Sequence, residues 1–164
     1  MENGDPFSLI SVLMKHEVDF VVLGGHAVAF HGYPRATEDT DILFRRNPTN
    51  ETALFHALRS VDARWIGNDI DPKTGIERQY PVTQAYLEST HLMMLITDAG
   101  FLDVFDYIPG MPDEPVDEVF NTCKFANGIR FVSLDWLRRM KRAANRPKDR
   151  LDLDELSRVE TDNT

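Results

Sequence analysis

Two aspartates one residue apart, Asp39 and Asp41, lie downstream of a Gly24-Gly25 pair, with 14 residues from Gly25 to Asp39. Asp39-Thr40-Asp41 runs into the apolar stretch Ile42-Leu43-Phe44 and reads as a strand, on which side chains alternate between faces. Asp39 and Asp41 then share one face, and Thr40 and Ile42 the other. Neighbouring carboxylates on a rigid strand repel unless a cation compensates them, which points to a divalent metal, Mg²⁺ or Mn²⁺. Upstream, Val21-Val22-Leu23-Gly24-Gly25-His26-Ala27-Val28 reads as a strand, a glycine turn and a short helix. Glycine lets the backbone approach a ligand closely, and the free N–H groups at a helix start favour an anion. A polyphosphate holder beside a metal-binding Asp-x-Asp is what transfer from a nucleoside triphosphate requires. Each half also has a plainer reading, Gly-Gly as a turn and Asp-x-Asp as a solvated strand end. Their order and spacing favour the joint one.

The elements that would position these groups follow an α/β order. Apolar residues at Phe7, Ile10, Leu13 and Met14 predict a first helix, and residues 19–23 a strand. A short helix is expected over 25–31, a strand over 39–45, and a helix capped by Thr49 or Asn50 that runs through Leu54, Leu58 and Val61. Residues 62–89 are less periodic and read as short strands or a flap. Two strands, 91–97 and 101–108, are joined by a tight turn at Asp98-Ala99-Gly100. On the second of these, Phe101, Asp103, Phe105 and Tyr107 share a face and Asp106 takes the other, so only one of the two acids can face Asp39 and Asp41. Asp103 is interior, while Asp106 is nearer the end and expected in solvent. Between Phe101 and Phe105, Asp103 should have a raised pKa without metal. A short helix is expected over 115–121. Asn127-Gly128 marks a hairpin, and Ser133 caps a helix to about Ala144 with the stripe Leu134, Leu137, Met140 and Ala144. Lys141 falls on the buried side of that helix and so needs a partner, either a ligand phosphate or Asp149 or Asp152. Residues 146–149 bend the chain into a last helix.

Gly24-Gly25 followed by Arg35-x-Thr37-x-Asp39-x-Asp41 resembles the signature of the DNA polymerase beta-like nucleotidyltransferase superfamily. The likeness is to its small prokaryotic branch, with AbiEii-like abortive-infection toxins and minimal nucleotidyltransferases. Leu102-Asp103-Val104-Phe105 matches the family's third acid, 64 residues beyond Asp39. The tail Asp135-x-Leu137-x-x-Met140-Lys141-Arg142-Ala143-Ala144-x-Arg146-Pro147-Lys148-Asp149-x-x-Asp152-Leu153 matches as well, so the resemblance spans about residues 19–159. It implies an α/β (α+β) fold: a small mixed sheet flanked by helices, with a C-terminal hairpin and two helices. All of 1–164 would be one nucleotidyltransferase domain, its core at about 19–108 and its C-terminal part at about 115–160. Asp39, Asp41 and Asp103 would bind metal and catalyse, and Gly24, Gly25, His26, Arg35, Thr37 and Lys141 would hold the nucleotide, ATP or another triphosphate. The implied acceptors are a tRNA end, a protein side chain or a small molecule. An antitoxin partner is implied as well, in a toxin–antitoxin or phage-defence pair. Many members carry Gly-Ser where this chain has Gly24-Gly25, so one hydroxyl contact to phosphate is missing. A non-catalytic nucleotide-binding or antitoxin-like module of the same fold is therefore the competing reading. A nucleotide-sugar glycosyltransferase using Asp39-Thr40-Asp41 is a third, for which the chain is short.

Composition narrows the classes. At 164 residues and 42% hydrophobic content the chain has enough apolar material for one core. No basic-then-apolar leader, no bilayer-length apolar run and a lone Cys123 together set the expectation of a cytoplasmic protein without membrane or disulfide. A net charge of −9 argues against nucleic-acid binding through the overall field and favours protein or small-molecule acceptors. Yet 7 of the 18 basic residues lie within Arg138–Arg150, either a solvated helix face or a cationic rim beside the metal site.

Overall fold

The computed structural model describes residues 5–37 and 39–162, and its elements follow the expected order closely. They are α1 (Ser8–Lys15), β1 (Phe20–Val22), α2 (Gly24–Phe30), β2 (Asp39–Phe44), α3 (Pro48–Ser60), β3 (Arg64–Ile70), β4 (Glu77–Pro81) and α4 (Gln84–Ser89). After these come β5 (Leu92–Thr97), β6 (Gly100–Phe105), α5 (Val116–Thr122), β7 (Lys124–Ala126), β8 (Ile129–Phe131), α6 (Leu134–Ala144) and α7 (Pro147–Asp162). All eight strands join one mixed sheet in the order β4-β3-β5-β6-β2-β1-β8-β7. The C-terminal hairpin is thus part of the sheet, held by a parallel pairing of Val22 with Phe131 and by the Val132 N–H donating to the Val22 carbonyl at 3.0 Å. Its turn residues Asn127 and Gly128 both have positive φ (52° and 79°), as a two-residue hairpin of this twist requires.

Alternation along the strands sorts the core into two layers. Phe20, Val22, Ile42, Phe44, Met93, Leu95, Leu102 and Val104 face one side and bury against Leu9, Ile10 and Leu13 of α1 and Leu54 and Leu58 of α3. Val21, Leu23 and Leu43 face the other side and bury against Val28 of α2, Phe120 of α5, Trp136 and Leu137 of α6, and Leu156 of α7. Asp39, Asp41 and Asp103 belong to this second side. Among the described residues no helix is long and apolar enough to cross a membrane.

One local expectation is corrected. Helix α3 begins two residues early: the extended Asn47 caps it by accepting the Asn50 N–H at 2.9 Å, with Pro48 in the first turn, where its missing N–H costs nothing. Asn50 is buried instead, and its amide donates to the carbonyls of Asp19 and Arg45. Residues 62–89 form the β3–β4 hairpin and α4, and β4 is the sheet's edge.

Candidate functional site

Strands β2 and β6 run parallel, and their register sets Asp41 directly opposite Asp103, with Asp39 opposite Phe101. The sequence-expected trio therefore lies on one face of two adjacent strands. Asp41 and Asp103 are close enough to hydrogen-bond to each other when one of them is protonated. Burial is the largest influence on both and pushes both upward. The charges of Asp41 and Asp39 add to it at Asp103, which is raised to about 6. At Asp41 burial and Asp39 outweigh the lowering by the Asp103 hydrogen bond, Lys141 and Lys148. Asp39 is exposed at the strand's start.

Gly24 sits against this pair. Its φ is +61°, a backbone conformation that side chains disfavour, and a Cβ there would fall on the Asp41 carboxylate. Gly25 is packed as closely on the loop before β2, where a Cβ would lie 2.7 Å from the Thr37 hydroxyl. The space that a serine would need at position 25 is thus filled by Thr37, whose hydroxyl donates to the Asp39 carbonyl at 2.9 Å. Thr37 braces the acid-bearing strand.

Behind the acids stands a chain of alternating charges. The Arg35 guanidinium approaches Asp152 with Nε and Nη2 each 3.0 Å from a carboxylate oxygen. Lys141 Nζ lies 3.0 Å from Asp152 and 3.3 Å from Asp149, and Arg146 Nε donates to Asp149 at 2.7 Å. Lys141, Asp149 and Asp152 are buried. Burial acts to raise Asp149, but hydrogen bonds from the Arg146 side chain and N–H, with the Lys141 charge, hold it below the ordinary carboxylate range. Of the two partners the periodicity of α6 left open for Lys141, carboxylates are the ones in place. The Arg35 pairing had no local signal, since Asp152 is 117 residues away.

A small cleft of about 100 Å³ lies where these parts meet, lined by Leu23, Gly24, Asp41, Lys141 and Arg146 among others. That is roughly the liquid volume of three waters, enough for ions and a phosphate but not a nucleoside. Other grooves lined by described residues are larger and lie elsewhere. One of about 370 Å³ lies between Phe7, Phe30 and Phe131 on the side of His26.

His26 does not join the acids. It is buried with Nε2 3.3 Å from the Thr40 hydroxyl, on the opposite face of β2, and desolvation lowers its pKa. Asp106 is corrected too: its side chain is not solvated but packed away, 7% exposed, accepting from Arg46 Nε at 2.7 Å and lying 2.8 Å from His91 Nδ1. Arg146 and Lys148, read from the sequence only as members of a basic run, are the cations with standing here. Arg146 lines the cleft, and the Lys148 charge acts on both Asp41 and Asp103.

No three His, Cys, Asp or Glu side chains among the described residues are already gathered around a single metal position. The donor chemistry nonetheless fits a hard divalent cation. Every donor is a carboxylate oxygen, and burial with mutual repulsion raises both Asp41 and Asp103 despite the Lys148 charge nearby.

No protein-family model and no curated protein matches this sequence. Among solved structures, a Helicobacter pylori protein proposed to be a nucleotidyltransferase is 16% identical, with a TM-score of 0.40 over 81% of this chain and 54% of its own. JHP933 from the same species is 17% identical, with a TM-score of 0.39 over 81% and 53%. This chain spans about half the length of either. Superpositions this loose decide neither fold nor function, so the site's own geometry carries the reading.

Proposed function

We propose that this protein is a metal-dependent nucleotidyltransferase that moves a nucleoside monophosphate from a triphosphate to a hydroxyl acceptor, releasing pyrophosphate. The observation that carries the reading is the register of Asp41 against Asp103, two uncompensated carboxylates one strand apart with Asp39 beside them. Asp39, Asp41 and Asp103 would hold Mg²⁺ or Mn²⁺, which when bound supplies Lewis-acid stabilisation of charge on the reacting phosphate. Gly24 keeps the space over Asp41 clear for the triphosphate, with the backbone of Gly24 and Gly25 as its cradle. Arg146 and Lys148 provide the countercharge. Arg35 and Lys141 fix the wall of the cleft, Thr37 braces β2, and Asp103 would accept the acceptor's hydroxyl proton.

One observation favours the second reading, a module that binds nucleotide without turnover. Arg35 and Lys141, two of the cations expected at the phosphates, are already engaged by Asp149 and Asp152. Incubating the full chain with each α-labelled triphosphate, Mg²⁺ and cell extract separates the two. Labelled acceptor with stoichiometric pyrophosphate, lost in Asp41→Ala, supports the transferase. Tight triphosphate binding with no pyrophosphate under any metal supports the module.

A further inference from the structure

The side of the sheet that carries the acids is covered over only half its width. Helices α2, α5, α6 and α7 bury it over β1 and β2, but beyond β6 no buried cluster lies on it among the described residues. On β5 the alternation is plain: Met93, Leu95 and Thr97 are buried, while Leu92, Met94 and Ile96 face out. An antiparallel sheet with one wet side normally turns polar residues to it. Here apolar residues stand among the outward ones, beside Arg64, Gln79 and Glu77: Met94 is 63% exposed, Ile70 61%, Phe101 49% and Ile66 43%. These residues come from three neighbouring strands and lie on one side. Phe101 pairs with Ile96, Ile96 pairs with Arg64, and Ile66 follows Arg64 on the same face. An apolar surface continuous across several strands marks a place where something binds.

Its position says what binds. Met94 is the register partner of Asp103, so whatever rests on this surface reaches the acids. Its charge says which kind of molecule. Arg64 is the cation that β3, β4 and β5 offer on this face among the described residues, and it is held by Gln79 at 2.5 Å and Asp62 at 3.8 Å. Arg146 and Lys148 serve the acids, so beyond Asp103 a phosphate backbone would meet that one engaged cation and, at the edge, Glu77, where binding needs several free cations. Apolar side chains of a polypeptide suit the surface.

We propose that this open half-face is an acceptor platform for a polypeptide whose apolar side chains lie on Ile66, Met94 and Phe101 and whose hydroxyl residue is presented to Asp103. This rests on the transferase reading above. In the step, the hydroxyl oxygen bonds to the α-phosphorus of the nucleoside triphosphate and the bond from that phosphorus to the pyrophosphate oxygen breaks. Pyrophosphate leaves with that electron pair, and the hydroxyl proton passes to the Asp103 carboxylate and on to solvent.

The test offers the full chain, with Mg²⁺ and α-labelled triphosphates, two acceptors. One is a library of short peptides with a central Ser, Thr or Tyr and apolar, acidic or basic flanks; the other is bulk tRNA. Label should enter peptides with apolar flanks. The paired change Ile66→Thr and Met94→Gln, which keeps strand propensity and charge, should lower that rate by about tenfold or more with Mg²⁺-dependent triphosphate binding unchanged. Label on tRNA in place of peptide overturns the proposal and leaves the transferase intact. So does peptide labelling that ignores both flanks and variant, or a wild-type dimer in sedimentation that the variant dissolves. No label on either acceptor also overturns it, and the accompanying triphosphate-binding measurement then decides whether the transferase reading falls with it.

Discussion

Two pairs of buried or half-buried aspartates each give one member, Asp41 and Asp149, to the lining of one cleft, and they are treated in opposite ways. Asp149 and Asp152 are met by Lys141, Arg35 and Arg146, at 2.7–3.3 Å. Asp41 and Asp103 have no ion pair to a lysine or arginine among the described residues and hydrogen-bond to each other, with Asp103 raised to about 6 and Asp149 lowered. Burying carboxylates is costly in either place. In the first the fold supplies the countercharge itself, so the acids act as rivets between α6, α7 and the loop before β2. In the second it does not, and the cost stands at the position where we propose that a cation binds.

The largest effect that should separate the pairs is on transfer. Asp41→Asn or Asp103→Asn should lower the labelling rate by more than about a hundredfold while leaving the protein folded, as circular dichroism and a melting curve would record. Wild-type activity in either variant would remove that acid from the site. The opposite behaviour is expected across the cleft. Lys141→Ala leaves Asp149 and Asp152 short of a partner in a dry place and should cost about 3–5 kcal/mol of unfolding free energy in a denaturant titration. An unaffected midpoint would mean that the charge chain is ornamental.

Protonation sharpens the contrast because the two pairs carry opposite signs. Asp103, raised above its ordinary 3.8, contributes stability that is full below 3.8 and lost as pH climbs through about 6. Asp149, lowered, contributes stability that is present above the ordinary range and lost as pH falls through its folded value. The stability difference between wild type and Asp103→Asn in metal-free buffer should therefore move against wild type by on the order of 2 kcal/mol between about pH 4 and pH 7. Millimolar Mg²⁺ should flatten that difference. A slope of the other sign would mean that the Asp41–Asp103 contact is not a shared proton. The smallest effect concerns the acid three residues further on. Asp106→Asn should lower stability by about 1 kcal/mol through weakened contacts to Arg46 and His91, with triphosphate binding unchanged.

What could be read from the sequence was what is local or periodic. The shared face of Asp39 and Asp41, the choice of Asp103 over Asp106, the Asn127-Gly128 hairpin and the inward Lys141 all follow from a period of two or 3.6, or from turn chemistry. What was misread depends on partners remote in the chain. Asp106 looks solvated until Arg46, 60 residues earlier, is brought over it. His26 looks like a phosphate contact until the turn of α2 carries it to the Thr40 side. The helix start at Asn47 was displaced because Asn50 is an equally good cap by type, and only its buried bonds to Asp19 and Arg45 assign it elsewhere. Strand β5 is apolar on both sides, and nothing in its sequence reveals that one side is bare.

The pairing of Arg35 with Asp152 also sets a timetable. As the chain leaves the ribosome, β1, β2, β5 and β6 can associate once residue 105 is free, so the acids meet early. Arg35 and Lys141 gain their buried carboxylate only when α7 emerges, and β8 closes beside β1 late as well. Contacts this distant in sequence form slowly, since loop closure comes before their reward. The nascent polypeptide thus carries a paired set of acids but an unfinished cleft wall until α7 has been made.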